Sequence, residues 1–244
     1  MGVVRVIRIM NSAIRPRPAM QLVPPAPPVA EAPDASRDAR AVQRLSLFLV
    51  SGCLAYAVVR YVVLGTVEPA QLPLFVLNKA LAATGLALLS LCLAWSPLMR
   101  VLPGTTSGMR KWLGVAGFGF SAVHSVATLA MLNPIYYAKL FGDTGRLSLT
   151  GELTLLLGVA SMAALILPAM TSFAGIRQAM PPAEWKRMQK LALVALVTGA
   201  LHVVVMGMPT WLKPETWPGG LPPITLWAAF AAALALTLRA VARS

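Results

Sequence analysis

Six apolar runs, each long enough to cross a bilayer as a helix, leave this chain little choice of fold. They fall at about residues 45–65, 77–98, 111–132, 152–173, 188–208 and 224–242. At 1.5 Å per residue, about 20 residues cover a hydrocarbon core roughly 30 Å thick. Turn signals separate the runs: Glu68-Pro69 and Pro73, Pro97 with Pro103-Gly104, Asn133-Pro134, Gly175 with Pro181-Pro182, and Pro218-Gly219-Gly220. Of the 244 residues 57% are hydrophobic and only 12% charged, against about 25% charged in a soluble domain. A water-soluble enzyme is nearly excluded, and no extramembrane catalytic domain is expected once the runs are removed. The expected fold is an all-α integral membrane protein, a six-transmembrane-helix bundle over residues 44–244.

Residues 1–43 read differently. Pro16, Pro18, Pro24, Pro25, Pro27, Pro28 and Pro33 precede a charged stretch from Asp34 to Arg44, a composition that cannot bury a core and is expected to form a disordered arm. Its first residues, Val3 to Met10, mix Arg5 and Arg8 into an apolar run, which suits a short helix on the membrane surface better than a signal peptide. The net charge of +13 could point to a polyanion, but basic residues collect in cytoplasmic loops and explain it without nucleic acid. With the N-terminus inside, the outer segments hold only Arg60, Lys79, Lys139, Arg146 and Lys213 of the 21 Lys and Arg. Both termini are therefore expected in the cytoplasm. Arg60 lies within the first run and must snorkel or find a partner. Cys53 and Cys92 form neither a haem-attachment nor a zinc pattern and read as packing residues.

The chain has 2 histidines, His124 and His202, and both fall deep inside predicted spans, where an ionisable side chain is expensive. Counted from Arg110 and Lys190, they sit about 21 and 18 Å from the inner edge at 1.5 Å per residue. The third and fifth helices run the same way, so the two imidazoles are level. Two neutral imidazoles at one depth in a bundle are what a six-coordinate haem iron needs as axial ligands. The plainer alternative is that each is an interhelical hydrogen-bonding residue. Gly114, Gly117 and Ser121 precede His124 on its own helical face and Gly199 lies one turn before His202. Small residues there leave room for a flat macrocycle, though they also serve ordinary helix packing.

Arg110-Lys111-Trp112-Leu113-Gly114, followed by Phe118 and His124, resembles the third-helix signature of ferric reductase-like transmembrane proteins. The nearest likeness is to the haem-binding membrane subunits of bacterial methionine sulfoxide reductase systems. Thr171-Ser172, Trp185-Lys186-Arg187 and His202 resemble that family's fourth-to-fifth helix segment, and Trp95-Ser96-Pro97-Leu98-Met99-Arg100 its second-helix exit. The resemblance covers about residues 75–210 and implies a membrane b-type cytochrome with haem ligated by His124 and His202. Gln189 stands where the family usually has its first fifth-helix histidine, and Arg110 or Lys111 occupies the inner third-helix position. Relatives with two stacked haems, such as the NADPH oxidases, use four histidines, so one haem b is expected here.

The resemblance also implies an external electron donor, a flavoprotein or a quinol, and an extracytoplasmic acceptor. A flavin or quinone cofactor stays open without a motif for either. Asp143, Glu152 and Glu184 have no second carboxylate nearby in sequence and read as solvated loop charges. No phosphate-binding loop, dinucleotide fingerprint or zinc-protease motif occurs, and Met206 and Met208 read as ordinary apolar-helix residues. A transporter is disfavoured because broken helices and paired intramembrane charges are missing. The competing expectation is a haem-free structural or accessory subunit of a larger membrane complex.

Overall fold

The protein is seen in a computed structural model that describes residues 33–67, 72–101 and 106–242. The arm up to residue 32, with the surface helix expected near its start, lies outside the described residues, as do Glu68-Pro69 and Pro103-Gly104. The described chain is helical, with six helices long and apolar enough to cross a membrane, and it is an integral membrane protein. They are α1 (Pro33–Val58), α2 (Leu77–Leu98), α3 (Ser107–Ala130), α4 (Leu149–Met170), α5 (Pro182–Trp211) and α6 (Ile224–Val241). The expected spans match these helices to within a few residues at most ends. Apolar side chains such as Phe48, Val126, Leu156 and Phe230 point outward, as they must where the solvent is lipid.

The middle of the bundle is α2. Of its apolar window 56% is buried, against no more than 22% in any other span, and it packs against α1, α3 and α6. Its contact with α3 depends on small residues. A Cβ on Gly117 would stand 2.9 Å from the Leu89 side chain and 3.1 Å from its backbone nitrogen, and one on Gly85 would stand 2.7 Å from Ser121 Oγ. Close backbone approach of this kind drives helix association in lipid, where no hydrophobic force separates one apolar surface from another. Helices α4 and α5 form the other main pair, tied by Ser161 Oγ donating to Ala195 O at 2.8 Å.

Helix α1 begins at Pro33, so the arm boundary expected near residue 43 falls inside a helix that continues into the first span. Asp38 explains the extension. Its carboxylate is 5% exposed and accepts a 2.6 Å hydrogen bond from Thr106 Oγ1, the residue that precedes the first turn of α3. There it faces the partly positive end of that helix, and Trp95 Nε1 donates to Thr106 O at 2.8 Å from the other side. At its far end α1 loosens into a π-helical turn, Val59–Val63, which carries Arg60 inward. Arg60 is 3% exposed and donates from Nε to Leu221 O at 2.9 Å, with its guanidinium 4.7 Å from the centre of the Tyr61 ring. It finds a partner rather than snorkelling. Nearby, Tyr56 OH donates to Pro222 O at 2.6 Å, so α1 is stitched to the segment that opens α6.

Asp38→Ala removes the anion over α3 and leaves Thr106 without its acceptor. It should lower stability by about 1–2 kcal/mol, read as a lower thermal midpoint in detergent. Asp38→Asn, which keeps an acceptor oxygen, should lose less.

Candidate functional site

Helices α2 to α6 enclose a cavity of about 380 Å³, within the roughly 300–1,000 Å³ range of small-molecule and cofactor sites. Its walls are mostly apolar, with Leu86, Leu89, Leu155 and Val203 among them, and a few polar groups converge on it: Asn78, Lys79, Ser121, His124 and His202. Leu129 of α3 and Val159 of α4 belong both to this wall and to the exposed surface. The cavity therefore reaches the lipid-facing side between those two helices.

Both histidines are held by the same ring nitrogen. Nδ1 of His202 lies 2.7 Å from Thr154 O, and a carbonyl only accepts, so Nδ1 carries the proton. Nδ1 of His124 lies 2.8 Å from Asn78 Oδ1. The Asn78 amide nitrogen donates to Thr128 Oγ1 at 2.8 Å and to Tyr137 OH at 2.9 Å, and in this arrangement its oxygen accepts from His124 Nδ1, with Thr128 Oγ1 3.3 Å from the same nitrogen. With the amide so placed, both rings carry their proton on Nδ1. Among the described residues Nε2 of neither ring has a hydrogen-bond partner, and its lone pair is left for a ligand.

Gly158 makes the His202 contact possible. In a helix a side chain leans back over the turn before it, so a residue at 158 would cover the Thr154 carbonyl. A Cβ there would stand 3.1 Å from His202 Nδ1 and 3.3 Å from its Cε1. Of the small residues singled out from sequence, Ser121 and Gly199 line the cavity with the two histidines. Gly199 also packs against Ser161, whose Oγ would lie 3.0 Å from an added Cβ. Gly117 is not part of the wall, because it is spent on the α2–α3 crossing against Leu89. Sequence reasoning missed Asn78 as the partner of His124, and missed Thr154 and Gly158 entirely. Only Asn78 carried a signal, as an amide within an apolar run.

Gln189 lies apart from the histidines. Its Nε2 donates to Pro168 O and Thr171 Oγ1, both at 3.0 Å, and Trp185 Nε1 donates to Thr171 O at 3.0 Å. These two α5 side chains donate to carbonyls at the end of α4, where Ser172 Oγ also donates to Pro168 O at 2.7 Å. Met206 gives its backbone carbonyl to Lys139 Nζ at 3.0 Å, and in that loop between α3 and α4 burial, followed by the charge of Arg60, pushes the Lys139 ammonium below its ordinary range.

The sequence pattern of the ferric reductase like transmembrane component family matches residues 64–200. The chain belongs to that family. No curated protein shows significant similarity to it. As a ferric reductase-like membrane domain it is a membrane electron-transfer component. The matched stretch contains His124 and stops two residues before His202. Among the described residues no three His, Cys, Asp or Glu side chains cluster. Two imidazoles on one mostly apolar cavity, each with its Nε2 open, are a donor set that fits a haem.

The hydrogen bonds predict ring tautomers directly. In protein free of added cofactor, ¹⁵N shifts of both imidazoles should report protonation at Nδ1. Gly158→Val should change the His202 signals and spare His124, while Asn78→Leu should do the reverse. A variant that disturbs both rings equally would contradict separate anchoring.

Proposed function

We propose that the chain is a membrane b-type cytochrome that passes single electrons through one haem b, held by His124 and His202, to an acceptor outside the cytoplasm. The observation that carries this reading is the meeting of the chain's 2 histidines on one cavity wall with Nδ1 committed in both. Haem b, when bound, supplies a one-electron couple at iron whose potential the surroundings set.

The chain's own residues have three tasks in this reading. His124 and His202 would hold the haem iron through their Nε2 lone pairs. Asn78 and the Thr154 carbonyl hold the rings in orientation and raise their basicity as donors. The apolar walls keep water away and the local dielectric low. The inner ends of α3 and α5 carry Arg110, Lys111 and Gln189 in place of a second ligand pair, so the reading takes one haem per chain.

The donor in this proposal is external, a flavoprotein or a quinol. The acceptor side follows from the calculated depth of the histidines, nearer the outer face. Placing both termini and the Pro-rich segment before α1 in the cytoplasm rests on the excess of basic residues on that side, and a bacterial inner membrane on the likeness to bacterial membrane subunits.

An absorption spectrum of protein expressed with ample haem tests the proposal. Reduced b-type bands are expected, and their absence would leave the haem-free accessory subunit as the better reading. A pyridine haemochrome assay should give one haem per chain, and a value approaching two would contradict the single site. His124→Ala and His202→Ala should each lose haem or turn it high-spin, and the two should look alike. Gln189→Ala should keep a normal spectrum while losing about 1 kcal/mol of stability with its hydrogen bonds.

A further inference from the structure

We infer that Lys79 is the carboxylate-binding group of the cavity and meets a propionate of the haem, an assignment that rests on the reading above. Three cations gather at this end of the bundle, and two have found oxygen acceptors: Arg60 on Leu221 O at 2.9 Å and Lys139 on Met206 O at 3.0 Å. Lys79 has none among the described residues. Its ammonium lies 4.3 Å from the centre of the Phe75 ring and 5.1 Å from that of Tyr61, and Arg60 stacks on the same Tyr61 ring.

Lys79 is also part of the cavity wall. It follows Asn78, the residue that holds His124, so it stands on the helix that already serves the site. An ammonium has three N–H donors and no acceptor, and aromatic faces meet only part of that demand. Within a candidate membrane span, facing a mostly apolar cavity, such a group calls for a counter-charge. Haem b carries two carboxylates and is otherwise apolar, which matches a mostly apolar cavity with one cation in its wall. Ferric haem b with two neutral axial imidazoles has a net charge of minus one, and reduction adds another negative charge. A fixed cation at Lys79 therefore favours the bound ligand and favours its reduced form more.

The test uses the purified full chain in nanodiscs, titrated with haem b and with haem b dimethyl ester, in which both carboxylates are blocked. The wild type, Lys79→Met and Lys79→Arg are compared by low-spin absorbance. Lys79→Met should weaken binding of haem b by about tenfold or more, as expected for loss of one charge-assisted contact, and should leave the ester's affinity unchanged. Lys79→Arg should retain most of the affinity for haem b. The midpoint potential of the Lys79→Met holoprotein should fall. Equal loss for both ligands, or no loss for haem b, would overturn the assignment and make Lys79 a structural residue. If Lys79→Met does not fold, the comparison within Lys79→Arg and the wild type decides: each should favour haem b over its ester, and no preference overturns it. A wild type that takes up neither ligand defeats the haem reading itself, whereas low-spin binding that ignores the carboxylates defeats only the role of Lys79.

Discussion

Inside a bilayer no water is at hand to complete a hydrogen bond, so a polar group is costly unless it finds its partner within the protein. That constraint turns the few polar side chains of this bundle into its joints. Asp38 meets Thr106, Tyr56 and Arg60 meet the carbonyls before α6, Ser161 meets Ala195, and Trp185 and Gln189 close the end of α4. Apolar faces slide easily against lipid and against each other, whereas a hydrogen bond of 2.6–3.0 Å fixes both depth and rotation. The two histidines share a cavity because these joints set the register of the helices that carry them.

The spans were legible because hydropathy and length are local properties, and the bilayer allows few other structures for such runs. What the runs hid were features made by partners far away in sequence. The start of α1 at Pro33 depends on Asp38 reaching Thr106, and the π turn around Arg60 on the Leu221 carbonyl. Composition alone read Asp34 to Arg44 as a charged arm, since nothing in it names a receiving helix.

The site divided along the same line. His124 and His202 stood out because they are the 2 histidines of the chain and their depths could be counted. Gly117 looked like part of the same small-residue face, yet the α2–α3 crossing takes it. Periodicity says which residues share a face and not which neighbour that face meets. Gly158 and the Thr154 carbonyl were invisible for the same reason: their role exists only when α5 packs on α4, and a main-chain oxygen has no signature in sequence.

The two imidazoles are held alike in geometry and unlike in origin. His202 is held by a helix carbonyl, an acceptor that point substitution cannot delete and that Gly158 leaves uncovered. His124 is held by a side-chain amide whose other contacts reach Thr128 on its own helix and Tyr137 in the loop between α3 and α4. A change in that loop therefore has a hydrogen-bonded route to one ring and none of the same kind to the other. Ring orientation and Nδ1 hydrogen bonding both act on the donor strength of Nε2. The surroundings of His124 are thus the adjustable half of the site and those of His202 the fixed half, with Lys79 next to Asn78 on the adjustable side.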